Sequence, residues 1–240
     1  MNRRCLPSTD FLNMKTNCHH KVGGIMEGRD LSFWSKKLES VYNQLSQSEQ
    51  YYEGYKLLYS QWSTIDAAEI VFLSLNPGKE GSSSLNKSLS DERGNSYVIE
   101  QYTTASPITE QYLRLADFLR VDPLSILCGV VNPFRSGSWQ DLPNKMKVEG
   151  NKFGESFWSE IFKKNKVSLI VATGADAGEF VVNVKSADLA NQILSGWGNI
   201  VIKEYIAKDG TKIVVLPHLS RFKLFSRKEC LEALREIFGI

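Results

Sequence analysis

The sequence predicts an α/β fold: a three-layer α/β/α sandwich around a central, mainly parallel four-stranded sheet, with an N-terminal helical extension. Three observations predict it. Short apolar runs at 70–75, 126–131 and 169–172 alternate with longer stretches of helical period. Strands buried on both faces read as continuous apolar runs, and their alternation with helices marks βαβ units. Each run also stops abruptly at a polar or glycine signal, the punctuation that ends a strand.

The elements follow in order. Residues 1–29 are polar, lack a period and contain Gly23, Gly24 and Gly28, the composition of a flexible leader. Asp30 is suited to cap a helix through Phe33, Trp34, Leu38, Val41, Tyr42 and Leu45, spaced at three and four. The aromatic-rich stretch from Tyr51 to Trp62 reads as a second helix. Residues 30–65 are thus a helical segment opening one domain over 30–240. Ile70 to Leu75 forms the first strand, followed by a long loop over 79–106. Thr109 to Arg120 is a helix with Leu113, Ala116 and Leu119 on one face. Ile126 to Val131 is the second strand, Phe153 to Lys164 a helix, and Leu169 to Ala172 the third strand. A helix begins near Ala175 and another covers Ser186 to Leu194. Asp209-Gly210, between the β-type runs Ile200–Ile206 and Lys212–Leu216, is a hairpin signal. The last helix runs from Ser226, with Glu229 three residues on as a capping box, to Phe238.

Composition bounds the function. A chain of 240 residues with 42% hydrophobic content holds a real core. A net charge of +2 and a pI near 8.2 permit contact with nucleic acid without requiring it. No apolar run reaches the roughly 18 residues of a membrane span. The N-terminus lacks the apolar core of a secretory signal. Cys5, Cys18, Cys128 and Cys230 form no CxxC pair, and Cys5 with Cys18-His19-His20 matches no standard zinc spacing. Reduced thiols in a cytoplasmic protein without metal or cofactor are the expectation. The nucleophile elbow, the phosphate loop and the dinucleotide turn are all missing from the sequence.

Four strand ends carry the chemistry: Asn76-Pro77-Gly78, Asn132-Pro133, Thr173-Gly174 and His218-Leu219-Ser220. In a parallel sheet these ends share the rim where ligands bind. Pro77 fixes φ and Gly78 lets backbone pass close to a ligand, so Asn76 is aimed rather than left free.

The ordered set resembles the uracil-DNA glycosylase superfamily over about 66–225. Members of its mismatch-specific and single-strand-selective branches often carry Gly-(Ile/Met/Leu)-Asn-Pro-Gly after strand one; here it is Ser74-Leu75-Asn76-Pro77-Gly78. A base-reading Asn follows their second strand, which Val131-Asn132-Pro133-Phe134-Arg135 resembles. Some branches have a glycine after the third strand, as in Thr173-Gly174. Their last motif is often His-Pro-Ser, here His218-Leu219-Ser220. Ser74 in place of glycine and Leu219 in place of proline are departures. The iron–sulfur branches need four clustered cysteines, which this chain lacks.

The resemblance implies a monofunctional DNA glycosylase acting on an extruded base, and a monomer is expected. His218 would donate to the leaving base where negative charge builds, and Asn76 would orient the attacking water. Asn132 would pair with the edge of the base. A flipped base is normally supported by an aromatic face, for which Tyr97, Tyr102, Phe134 and Trp139 are the loop candidates. Lys79, Ser82, Ser83, Ser220, Arg221 and Lys223 are the expected phosphate contacts, helped by a helix N-terminus near Ser226. Gly78 stands where uracil-restricted members place a bulky aromatic, so the pocket is expected to admit uracil, hydroxymethyl or larger C5 substituents. A phage-defence member of the superfamily removes glucosylated hydroxymethylcytosine, and that substrate is compatible. The rival reading is a silent DNA- or nucleotide-binding module of the same fold, which the two departures favour.

Overall fold

The computed structural model describes residues 30–79, 87–103 and 105–240. The expected leader, with Cys5 and Cys18-His19-His20, lies outside them. In chain order the elements are α1 (Leu31–Glu49), β1 (Tyr55–Lys56), β2 (Ile70–Ser74), β3 (Lys87–Ser88), α2 (Ser96–Glu100) and α3 (Pro107–Leu119). There follow β4 (Leu127–Val130), α4 (Asn144–Lys164), β5 (Leu169–Thr173), α5 (Ala175–Lys185), β6 (Asp188–Leu194), β7 (Val201–Ile206), β8 (Lys212–Leu216) and α6 (Leu231–Phe238).

The main sheet has six strands, not four, in the order β4-β2-β5-β8-β7-β6. The first four are mutually parallel, and β7 and β6 extend the sheet antiparallel beyond β8. Asp209-Gly210 turns the chain between β7 and β8 as its sequence predicts, with Gly210 at a φ of 85° that favours glycine. The stretch expected as a helix over 186–194 is instead strand β6. Leu189, Ala190 and Gln192 are not strand formers. Pairing with β7 from Asp188↔Ile206 to Leu194↔Val201 outweighs that local preference.

Two other expectations change. Tyr51–Trp62 forms no long helix. Its middle lies extended along β4, with the Lys56 amide donating to Pro133 O, Tyr59 N to Cys128 O and Val130 N to Leu57 O. Gly129 permits that approach, since a Cβ there would lie 2.8 Å from Leu57 O. Ser226 does not cap a helix either. It ends a short 3-10 turn, its hydroxyl accepts from Gln111 Nε2 at 2.6 Å, and α6 starts only at Leu231.

Alternation along the strands divides the core between two faces. Val71, Leu73, Ile170, Ala172 and Ile213 pack with Trp34 and Leu38 of α1, Phe157 and Trp158 of α4, and Val181 of α5. Phe72, Val171, Val214 and Leu216 face the other way, against Tyr97 of α2, Tyr112 and Leu115 of α3, and Leu234 of α6. Helices therefore cover both faces. Asp30 caps α1 as expected, accepting from Ser32 N at 2.8 Å. Ser74 lies in register with Val130, Leu73 with Ala172 and Thr173 with Leu216. The carboxyl ends of the four parallel strands are thus level along one rim. Among the described residues no helix is long and apolar enough to cross a membrane, and no group of three His, Cys, Asp or Glu is placed to hold a metal.

Candidate active site

At the exit of β2, the Asn76 carboxamide is held by its nitrogen. Nδ2 donates to Ser136 Oγ at 2.8 Å, Pro77 O at 3.1 Å and Phe134 O at 3.4 Å. Two of these partners are carbonyls, which only accept, so the nitrogen must face them. Oδ1 faces away from them, with no hydrogen bond to any described residue. Ser136 is the unforeseen partner: it is buried, and its amide donates to Pro77 O at 3.1 Å. Gly78 is exposed, and a Cβ on it would meet no atom within 4 Å. Its φ lies outside the left-handed region, so the absent side chain provides room and does not relieve strain.

Across the rim, His218 leaves β8. Thr173 Oγ1 accepts from Leu219 N at 2.8 Å and donates to Pro217 O at 3.3 Å, gripping the chain on both sides of the imidazole. The Leu219 side chain is fully buried. Its place in the motif has a geometric reason, because a proline there has no N–H to give Thr173. Ser220 Oγ lies 2.7 Å from His218 Nδ1. Partial burial, then the nearby Arg221 guanidinium, hold the imidazole pKa below its usual value. Gly174, at a φ of 97°, lies between the two exits and begins α5; a Cβ on it would stand 3.6 Å from His218 Cδ2. Asn76 and His218 leave strands separated by β5, two strand spacings or roughly 10 Å across the sheet.

Asn132 does not join them. It is fully buried, and its Nδ2 donates to Lys147 O and Asn151 Oδ1 at 3.0 Å and to Met146 O at 3.3 Å. Oδ1 accepts from Phe134 N at 3.1 Å. Gly150 makes the notch for this amide, since a Cβ there would lie 2.3 Å from Nδ2. Asn132 therefore ties the end of β4 to α4, and its expected contact with a base edge is corrected.

Two expected stacking aromatics are also interior. Phe134 is fully buried near Tyr42, at a centroid distance of 6.0 Å. Tyr97 is 2% exposed and lies parallel to Tyr59 at 4.9 Å. Ser74, the departure from the glycine of the first motif, is itself buried at the end of β2. Of the four loop aromatics, Tyr102 is exposed and Trp139 half-buried beneath Lys147 at 5.6 Å.

Of the expected phosphate contacts, Ser82 and Ser83 lie outside the described residues. Lys79 pairs with Glu53 at 2.8 Å on the surface. Arg221 and Lys223 are exposed just beyond Ser220. They enter a cleft of about 660 Å3 that the sequence alone did not reveal, lined also by Trp197, Arg227 and Lys228. Because α6 starts at Leu231, no helix N-terminus stands at Ser226, and that expected anion site is withdrawn. Lys56 of β1 and Asp91 form a buried ion pair at 3.0 Å. Comparison with protein-family models and with curated proteins finds no match for this chain.

Proposed function

We propose that this chain is a monofunctional DNA glycosylase of the uracil-DNA glycosylase type, hydrolysing the N-glycosidic bond of a flipped, modified pyrimidine and leaving an abasic site. One observation carries the reading. An amide held by its nitrogen, with Oδ1 turned away, and an imidazole clamped by Thr173 stand at the exits of β2 and β8, on either side of Gly174.

The chemistry follows from these groups. Asn76 Oδ1 accepts a hydrogen bond from a water and directs its oxygen at C1′. An amide is too weak a base to deprotonate it, so positioning contributes most. As the C1′–N bond breaks, its electron pair goes to the base. In the tautomer in which Ser220 O–H donates to Nδ1, the neutral ring carries its proton on Nε2, a donor for a base carbonyl that is becoming anionic. The lowered imidazole pKa keeps that neutral form in place at physiological pH. The room beside Gly78 supports a pocket that admits C5 substituents, from hydroxymethyl to a glucosylated group.

The test is excision from single strands and duplexes carrying uracil, hydroxymethyluracil, a thymine mismatch or glucosylated hydroxymethylcytosine, read as alkali-labile sites. Asn76→Ala and His218→Ala are each expected to slow excision by about 10²–10³ fold. The rival, a silent binding module of the same fold, is favoured by the withdrawal of the Asn132 amide from the rim. Binding to all of these DNAs with no abasic product would establish the rival.

A further inference from the structure

The turn between β6 and β7 builds one wall of a cationic cleft beside His218. Trp197 stands at the turn. The Arg227 guanidinium carbon lies 3.4 Å from the centroid of its ring, and Phe222 meets the ring edge-on at 5.6 Å. Arg227 Nη1 also binds Glu229 Oε1 at 3.0 Å, so the guanidinium is fixed on two sides. The turn is seated against the same segment: a Cβ on Gly196, whose φ is 82°, would lie 2.0 Å from Glu229 O. Arg221, Lys223, Arg227 and Lys228 line the cleft against the single carboxylate of Glu229. Its near end is tied to the rim, because the amides of Arg221 and Phe222 both donate to His218 O at 2.9 Å.

An excess of cations along a groove with an aromatic–guanidinium stack is the chemistry that holds a nucleic-acid strand by phosphates and stacking. Arg suits the role because its planar fork is already ordered on Trp197 before a phosphate arrives. We propose that this cleft is a strand-binding subsite, in which Arg227 ordered on Trp197, with Lys228, grips backbone phosphates of the DNA strand flanking the nucleotide at His218. The proposal rests on the glycosylase reading for the identity of the nucleotide, but the strand contact itself needs no excision.

The test uses the full chain, an unmodified fluorescein-labelled single-stranded oligodeoxynucleotide and fluorescence anisotropy across a salt series. Arg227→Gln and Lys228→Gln are each expected to weaken binding about 3–10 fold and to lower the salt slope by about one. Lys228 is exposed, so its variant keeps the fold whatever happens at Arg227. DNA is expected to quench tryptophan emission in the parent and much less in Trp197→Phe. Parental affinity and salt slope in both charge variants would overturn the proposal. So would displacement of the DNA by poly-aspartate at equal charge concentration, which marks a generally acidic partner. Excision assayed in parallel separates the two readings. Arg227-dependent binding without excision of any base leaves the subsite standing and removes the glycosylase. Excision that is indifferent to Arg227 and Lys228 does the reverse.

Discussion

Thr173 and Leu219 are joined by a 2.8 Å hydrogen bond from the Leu219 amide to Oγ1, and the same oxygen reaches Pro217 O at 3.3 Å. The end of β5 thereby sets the position of His218, which lies between the two contacts. Thr173→Val keeps the shape and removes both bonds. It is expected to lower the excision rate constant about 10–100 fold with little change in KM, and stability by about 1–2 kcal/mol. Thr173→Ser restores the rate. Leu219→Pro abolishes the donor and is expected to match Thr173→Val or exceed it. Equal rates in Thr173→Val and the parent would remove Thr173 from the positioning of His218.

Acidity tests the imidazole separately. The His218 pKa lies below its usual value of about 6.5, first through partial burial and then through Arg221. The neutral ring therefore persists to lower pH than a free imidazole. Excision is expected to fall off at a lower pH than titration of a free imidazole would give. The decline comes as protonation of Nδ1 ends the donation from Ser220. Arg221→Gln removes one of the two causes, raises the pKa and moves the decline to higher pH. A decline that does not move, in a variant that folds as the parent, would show that another group governs it.

Sequence periodicity reads the parallel strands well because each is a short, doubly buried run with a sharp stop. Asn76, Thr173 and His218 leave their strands on one rim for that reason. Asn132 misleads because its neighbours in sequence say only that a strand ends. Its amide partners are residues of α4, reached through a notch at Gly150 that no local pattern announces. Strand β6 misleads in the same way, since its pairing with β7 is decided by tertiary contact and not by the propensities of Ala190 and Gln192. Trp197 and Arg227 are thirty residues apart, and only the packing of the β6–β7 turn against Glu229 makes them neighbours.

Gly78 tests substrate range. A side chain there meets open space and no backbone strain, so Gly78→Tyr is expected to fold normally. It should retain excision of uracil and lose at least about tenfold on hydroxymethylated or larger bases, because a ring beside C5 excludes the substituent. Competition between two oligonucleotides in one reaction measures the ratio directly. An unchanged ratio would place the C5 substituent elsewhere.

The buried Lys56–Asp91 pair makes stability depend on acidity. Burial opposes ionisation of Asp91, but the Arg93, Lys56 and Ser96 contacts together outweigh it and hold the carboxyl well below the usual carboxylate range. A depressed folded-state pKa adds stability above the unfolded value of about 3.9, and this stability is lost as pH falls through the folded-state value. Asp91→Asn is expected to cost about 3–5 kcal/mol at neutral pH, because Lys56 stays buried without its carboxylate. Its acid denaturation profile should also be flatter. Adding Lys56→Met should recover most of the loss; no recovery would mean that Arg93 is the principal partner of Asp91.

Asn132 separates a base-reading amide from a structural one. Its nitrogen faces the Met146 and Lys147 carbonyls and Asn151 Oδ1, all acceptors. Asn132→Asp keeps the size but turns a donor into a second acceptor, setting buried negative charge against carbonyl oxygen. The expected loss is on the order of 3 kcal/mol or more, seen as a fall in thermal midpoint. Asn132→Ala should lose less, since it removes the bonds without adding a charge, although it leaves the α4 carbonyls without that donor. Excision by either variant should fall only in proportion to the folded fraction, with the order of preferred bases unchanged. A parental thermal midpoint combined with a changed base preference would put the amide against the substrate and not against α4.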